Sequence, residues 1–156
     1  DSVEAVDPRL LVCPVCRHCG SLAGHGAYIR TVKSPDGPFR IRIRRVRCTG
    51  CGHTHALFPS FLVPYSQICL PDQMEIIRLH AAGTGYAGLM GRNSDIDENN
   101  ISSVLRRFRR AWEQRSASEC LPLSDALHLV RRCFRRFGCQ FMQIKKLPNE
   151  LFPAPT

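Results

Sequence analysis

The sequence predicts an α+β fold, in which a small N-terminal zinc ribbon with a three-stranded antiparallel sheet precedes a helix-turn-helix-like helical unit and a C-terminal helix. Three observations lead to this prediction. Two Cys-x2-Cys pairs flank segments that alternate apolar and basic residues. From Pro71 onward, apolar residues recur at helical spacing instead. The length of 156 residues allows one ordinary domain or two small modules.

These patterns divide the chain into three predicted segments. Residues 1–65 hold the zinc ribbon with a lead-in and a proline-rich connector. Residues 66–116 hold the helix-turn-helix-like unit, and residues 117–156 hold the last helix and a tail. The sequence does not indicate what the final 40 residues pack against.

Two strands and a turn are predicted within the ribbon. Residues 28–33 and 39–44 alternate in the manner of half-buried strands, and Arg45 breaks the alternation. Between them, residues 34–37 read Ser-Pro-Asp-Gly, a strong turn signal. Residues 52–58 follow as the third strand.

The helical unit is predicted to hold three helices before the C-terminal one. The first begins near Pro71, and the second is short and centred on residues 86–90. Asp95 with Glu98 resembles a capping box at the start of the third. One face of this third helix is apolar: Ile101, Val104, Leu105, Phe108 and Trp112. The last helix is predicted over residues 124–137, and residues 141–144 are predicted to form a strand. The residues predicted to face inward from this helix are Leu123, Leu127, Val130, Phe134 and Phe137.

The nine cysteines indicate a metal site in a reducing compartment. The predicted ligands are Cys13, Cys16, Cys48 and Cys51, with Cys19 as an alternative to Cys13. Two such pairs joined by a hairpin suit tetrahedral Zn²⁺, and four thiolates leave no open position for water, so the ion would be structural. Four nearby histidines are weaker candidate ligands: His18, His25, His53 and His55.

The charge balance favours a polyanionic partner. The chain has 22 Lys and Arg against 13 Asp and Glu, a formal charge of +9. Arginine and asparagine suit contacts to phosphates and base edges. We therefore predict a nucleic-acid-binding set on the second strand and the third helix: Arg40, Arg42, Arg44, Arg45, Asn99, Asn100, Ser103, Arg106, Arg109 and Arg110.

Part of the sequence also resembles a known family. The residues that carry the resemblance are a Cys-Pro-x-Cys knuckle at 13–16, His25-Gly26-x-Tyr28-x-Arg30, and the run Arg45-x-x-Cys48-x-x-Cys51-Gly52-x-Thr54-His55-Ala56-Leu57-x-Pro59-Ser60-Phe61-x-Val63-Pro64-Tyr65. They resemble a family of short, uncharacterised bacterial proteins that looks like the N-terminal zinc-ribbon and helix-turn-helix part of insertion-sequence transposases. The resemblance implies DNA binding and a mobile-element origin. It supplies no catalytic residues.

The combined prediction is a zinc-stabilised, non-enzymatic DNA-binding protein, transposase-related or a mobile-element accessory or regulator. The alternatives are a zinc-ribbon adaptor of a nucleic-acid machine and an RNA-binding protein. A protein partner or self-association through residues 58–65 fits the adaptor. We expect no small-molecule substrate, because no nucleophile–base pair or phosphate-binding glycine loop is recognisable. No signal peptide and no long apolar run is visible, so a cytoplasmic, membrane-free protein is expected.

Overall fold

The computed structural model describes residues 6–34, 36–92, 95–144 and 150–152. Two compact units emerge from the contacts. The sheet unit comprises Asp1–Arg30, Arg40–Ser60 and Lys146–Thr156, and the helical unit comprises Thr31–Phe39 and Phe61–Lys145. Each unit is therefore discontinuous in sequence, whereas the predicted segments 1–65, 66–116 and 117–156 were continuous.

The strands form one sheet with the order β1-β2-β3-β4. They are β1 (Leu22–Val32), β2 (Phe39–Cys48), β3 (Thr54–Leu57) and β4 (Glu150–Leu151). β3 runs antiparallel to β2, with Val46 opposite His55, and β4 adds to β3 in parallel. The predicted three-stranded antiparallel sheet is confirmed. β4 was not predicted, because a two-residue strand carries no periodicity.

The turn between β1 and β2 lies where the sequence predicts it. The N–H of Gly37 donates to the carbonyl of Ser34 at 3.0 Å, and Gly37 has a φ of 103°, which favours glycine. In β2 the alternation of buried and exposed residues is interrupted between Ile43 and Val46, which are both buried although they lie three residues apart. This spacing of three agrees with the interruption predicted at Arg45.

Five α-helices follow within the described residues: α1 (Leu70–Ala81), α2 (Tyr86–Met90), α3 (Glu98–Ala111), α4 (Glu113–Ser118) and α5 (Ala126–Phe137). α3 begins two residues later than the capping box predicted, because Asp97 and not Asp95 accepts the N–H of Asn100, at 2.8 Å. α4 was missed because its residues, Glu-Gln-Arg-Ser-Ala-Ser, have no apolar face.

The core of the helical unit surrounds Trp112, which is completely buried on α3's apolar face. Its indole N–H donates to the carbonyl of Gln143 at 3.1 Å, and its ring contacts Phe141 and Phe137 with centroid distances of 5.0 and 5.6 Å. The predicted strand at residues 141–144 is wrong. The segment is a turn, with Met142 buried at a φ of 65°, and Phe141 packs on Trp112 rather than on a neighbouring strand.

The inward face of this last helix agrees with the prediction except at Leu127, because Val130 is buried and Leu123, Phe134 and Phe137 pack partly buried against the core. Leu127 is 42% exposed, and the buried residues are Leu129, Val130 and Cys133. Asp125 caps the helix by accepting the N–H of His128, and Gly138 ends it in the left-handed conformation. Among the described residues, no helix has the length and apolar composition needed to cross a membrane.

The cap of α3 can be tested by two substitutions at Asp97. We expect Asp97→Ala to lower the free energy of unfolding by about 1 kcal/mol, because it removes the acceptor for the N–H of Asn100. Asp97→Asn keeps an acceptor and should lose much less. Denaturant unfolding followed by the fluorescence of Trp112, the single tryptophan, measures both. Equal losses in the two variants would contradict the capping role.

Candidate functional site

Two turns bring four cysteine thiols together in the sheet unit. The Sγ atoms of Cys13, Cys16, Cys48 and Cys51 all lie within 4.8 Å of one another. The first and third of these cysteines are buried and the other two half-buried. Cys19 is exposed and lies outside the cluster. The first knuckle therefore uses Cys13 and not its alternative.

The sulfur spacing fits a tetrahedral zinc ion. The Sγ atoms of Cys13 and Cys51 are 3.7 Å apart, and those of Cys16 and Cys48 are 3.5 Å apart. With Zn–S bonds of about 2.3 Å, the edge of a regular tetrahedron is about 3.8 Å. The cluster is thus consistent with a structural Zn²⁺ held by four thiolates.

The two knuckles repeat one backbone pattern. The N–H of Arg17 donates to the carbonyl of Cys13, and the N–H of Gly52 to that of Cys48, both at 2.9 Å. The N–H of Cys13 also donates to the carbonyl of His18 at 3.0 Å, and the N–H of Cys48 donates to the carbonyl of His53 at 2.8 Å. Arg17 has a φ of 64° and Gly52 a φ of 77°. Arg17 therefore occupies, at a steric cost, the left-handed position that glycine fills in the other knuckle.

Two polar side chains contact the cluster without being ligands. The Ser21 hydroxyl lies 3.2 Å from Cys48 Sγ, and Nε2 of the buried His55 lies 3.5 Å from Cys13 Sγ. Such contacts orient the ligands and offset the negative charge of four sulfurs. The sequence suggested His55 only as a ligand. It gave no signal for Ser21, which is 27 residues from Cys48 and is brought to it by the fold.

The thiols have unequal affinities for protons. The Ser21 hydroxyl and the backbone N–H of Cys51 lower the pKa of Cys48 to about 5. At Cys16 the backbone N–H of His18 favours the thiolate, but burial and the neighbouring thiols raise the pKa to about 12. The thiolate of Cys48 thus forms readily, whereas that of Cys16 requires a nearby cation. Zinc binding must therefore release protons and weaken as the pH falls.

Several of the predicted nucleic-acid-binding residues meet at one cleft, which lies wholly within the helical unit. The cleft has a volume of about 670 Å³. It is lined by α3, the segment 65–68 and Ile144, and the predicted residues among its walls are Asn100, Ser103, Arg106 and Arg110. Among the residues that the structure describes, no acidic side chain lines it. Nζ of Lys33 donates to Oδ1 of Asn100 at 2.8 Å, so the Asn100 amide is held in place.

Arg107 also lines the cleft, although it was not among the predicted residues. Its guanidinium donates to the carbonyls of Pro64 and Tyr65 at 3.4 and 3.3 Å. Burial lowers the pKa of Arg107, but an arginine remains charged at neutral pH. No local pattern distinguishes Arg107 from the neighbouring arginines, because its partners are more than 40 residues away in the sequence.

The remaining predicted residues lie outside the walls of this cleft. Asn99 is exposed at the start of α3, and Arg109 contacts Nε2 of His80 on α1 at 2.9 Å. In the sheet unit, three arginines of β2 are exposed: Arg40, Arg42 and Arg45. The fourth, Arg44, is half-buried and donates to the carbonyl of Val6 at 3.0 Å.

Comparison with known proteins identifies one family. A family model described as a domain of unknown function (DUF6431) matches residues 13–108, which is more than half of the chain and includes all four clustered cysteines. No curated protein and no solved structure matches the chain. The comparisons show no link to transposases.

The choice of ligands can be tested with two serine variants. We expect Cys13→Ser to lose tight zinc binding, because it removes a buried thiolate from the tetrahedron, and Cys19→Ser to retain one zinc per chain. Native mass spectrometry of protein purified with zinc measures the stoichiometry. The reverse result would place the metal on Cys16 and Cys19.

The strained knuckle gives a second test. We expect Arg17→Gly to be more stable than Arg17→Ala by about 1 kcal/mol, because both lose the side chain but only glycine adopts a positive φ without cost. Gly52→Ala should be destabilised by a similar amount. Denaturant unfolding of the zinc-loaded proteins measures all three. If Arg17→Gly is no more stable than Arg17→Ala, then Arg17 is not left-handed.

Proposed function

The chain belongs to the DUF6431 family, and we propose from its own residues that it is a zinc-stabilised DNA-binding protein without catalytic activity. The observation that carries the proposal is the cleft of the helical unit. It collects Asn100, Ser103, Arg106 and Arg110 in one basic recess, and the described part of its lining contains no acidic side chain. Guanidinium groups bind phosphates, and the amide and hydroxyl groups can bond to base edges.

Surface charge on the sheet unit supports the same function. Arg40, Arg42 and Arg45 project from β2 with exposed side chains. Arginines along a strand can bind successive phosphates of a nucleic-acid backbone. These contacts would be independent of sequence, whereas Asn100 and Ser103 would contribute any preference between bases.

The zinc site supports a binding role rather than an enzymatic one. Four thiolates complete the coordination of a zinc ion, and none is left for a substrate or an activated water. The ion would hold the sheet unit in shape so that the β2 arginines are presented on a fixed surface. The proposal therefore assigns zinc a structural role and no part in a reaction.

A mobile-element origin is part of the proposal. It is supported by the resemblance of residues 13–65 to the N-terminal region of insertion-sequence transposases, and by the order of α1, α2 and α3, which is that of a helix-turn-helix unit. α2 has only five residues, which is short for such a unit. On this hypothesis the chain would be an accessory or regulator of a mobile element.

The adaptor hypothesis has less support from the structure. It requires residues 58–65 to offer an apolar surface to a partner. Phe58, Leu62 and Val63 are buried, and Tyr65 is the exposed large side chain of this segment.

DNA binding is testable by fluorescence anisotropy with a labelled mixed-sequence DNA over a salt series. We expect the zinc-loaded protein to bind with micromolar or tighter affinity, and the logarithm of the binding constant to fall linearly with the logarithm of the salt concentration. Arg110→Gln should weaken binding and reduce that slope by about 1, because it removes one phosphate contact.

Arg131→Gln is the matched control, because it removes an exposed arginine from α5. It should bind like the unmodified protein. Absence of binding at low salt would overturn the proposal, and equal weakening by both variants would assign the effect to net charge rather than to the cleft.

A further inference from the structure

The residues proposed to contact bases line a recess of the helical unit. In a helix-turn-helix protein the recognition helix projects from the surface into a major groove that is about 12 Å wide. Here Asn100, Ser103 and Arg106 line a recess that is also walled by segment 65–68. Its volume of about 670 Å³ lies in the range of pockets that enclose a small ligand, about 300–1,000 Å³.

One residue that lines the cleft, Tyr65, carries an aromatic ring and lies on a strained turn. The N–H of Ser66 donates to the carbonyl of Val63 at 3.2 Å, which closes a four-residue turn with Pro64 and Tyr65 at its centre. Tyr65 has a φ of 58°. Proline followed by a residue of positive φ is the pattern of a type II turn, in which glycine is the favoured residue at the position that Tyr65 occupies.

The structure fixes this turn although tyrosine is unfavourable there. The guanidinium of Arg107, itself half-buried, donates to the carbonyls of Pro64 and Tyr65, which flank the α-carbon of Tyr65. The Tyr65 side chain nevertheless stays 71% exposed, so packing of the ring into the core does not account for the strain. Strained conformations that the surrounding structure maintains are concentrated at functional sites.

The other walls divide into an apolar part and a cationic part. Ile68, Val104, Ala111 and Ile144 provide apolar surface, and Arg106 and Arg110 provide positive charge from exposed positions on α3. A nucleotide has the same division between a flat base and a charged phosphate. Aromatic rings in basic grooves are the usual means by which proteins bind unpaired nucleotides.

We propose that this cleft binds an unpaired nucleotide of a single DNA strand, with its base stacked on Tyr65 and its neighbouring phosphates bound by Arg106 and Arg110. The inference rests on the proposed DNA-binding function and specifies its substrate. The chain would then bind single-stranded segments, ends or extruded bases in preference to continuous duplex.

The test compares a labelled 12-nucleotide DNA strand of mixed sequence with the same strand annealed to its complement. Full-length, zinc-loaded protein is used at one salt concentration. We expect the single strand to bind at least about 10-fold more tightly than the duplex. Tyr65→Gly should weaken single-strand binding by about 5- to 100-fold, which is the range for loss of one stacked base, and Tyr65→Phe should bind within about twofold of the unmodified protein.

The stability of the Tyr65→Gly variant distinguishes a stacking role of the Tyr65 ring from a structural role in the fold. Because glycine is favoured at this position of the turn, Tyr65→Gly should unfold at the same or a higher denaturant concentration when Trp112 fluorescence is followed. A destabilised Tyr65→Gly variant would show that the ring serves the fold, and would overturn the proposal.

The remaining outcomes distinguish this inference from the proposed function. Tighter binding to duplex, unaffected by Tyr65→Gly, would overturn the inference and leave the DNA-binding function standing. Failure to bind either DNA would overturn both. Tighter binding to an RNA strand of the same sequence would overturn the assignment to DNA.

Discussion

The sheet unit depends on the convergence of four cysteine sulfurs, whose mutual repulsion as thiolates would be relieved by a bound cation. Its apolar core is small: Leu22, Val46 and Leu57 pack beside the buried Cys13 and Cys48. Hydrophobic burial on this scale stabilises a fold only weakly. A structural zinc ion contributes on the order of 10 kcal/mol in comparable modules. The hydroxyl of Ser21 and the ring of His55 then act on single sulfurs, and the difference in pKa between Cys48 and Cys16 reflects how unevenly the protein supports the four charges.

The helical unit is stabilised in the ordinary way, by burial of apolar side chains around Trp112. This core also shapes the basic cleft. Packing of α3 through its apolar face leaves the opposite face, with Asn100, Arg106 and Arg110, on the side of segment 65–68. Arg107 links that segment to α3 through two backbone carbonyls. A single helix therefore supplies the core, the cleft wall and the residue that maintains the strained turn.

Two non-glycine residues adopt an unfavourable backbone conformation that the surrounding structure maintains. Arg17 and Tyr65 both occupy left-handed positions for which glycine is the low-energy choice. At the first knuckle the N–H of Arg17 is bonded to the carbonyl of Cys13, and zinc binding would offset the cost of the conformation. At Tyr65 no metal is involved, and the guanidinium of Arg107 maintains the turn instead. The difference matters for function, because only the second position presents an aromatic ring to a basic cleft.

The sequence by itself determined the α+β class, the three antiparallel strands, the order of the main helices and three of the four thiolate ligands, because each depends on local periodicity or on short spacings. It left Cys13 and Cys19 as alternatives, because either forms a knuckle with Cys16. Only the tertiary structure decided between them, since the choice depends on which sulfur reaches the second knuckle. The same holds for Asp97 as the cap, for the turn at residues 141–143 and for Ser21, His55 and Arg107. The role of each depends on contacts with residues that are distant in sequence or on the geometry of a helix cap. Local sequence patterns do not predict such contacts.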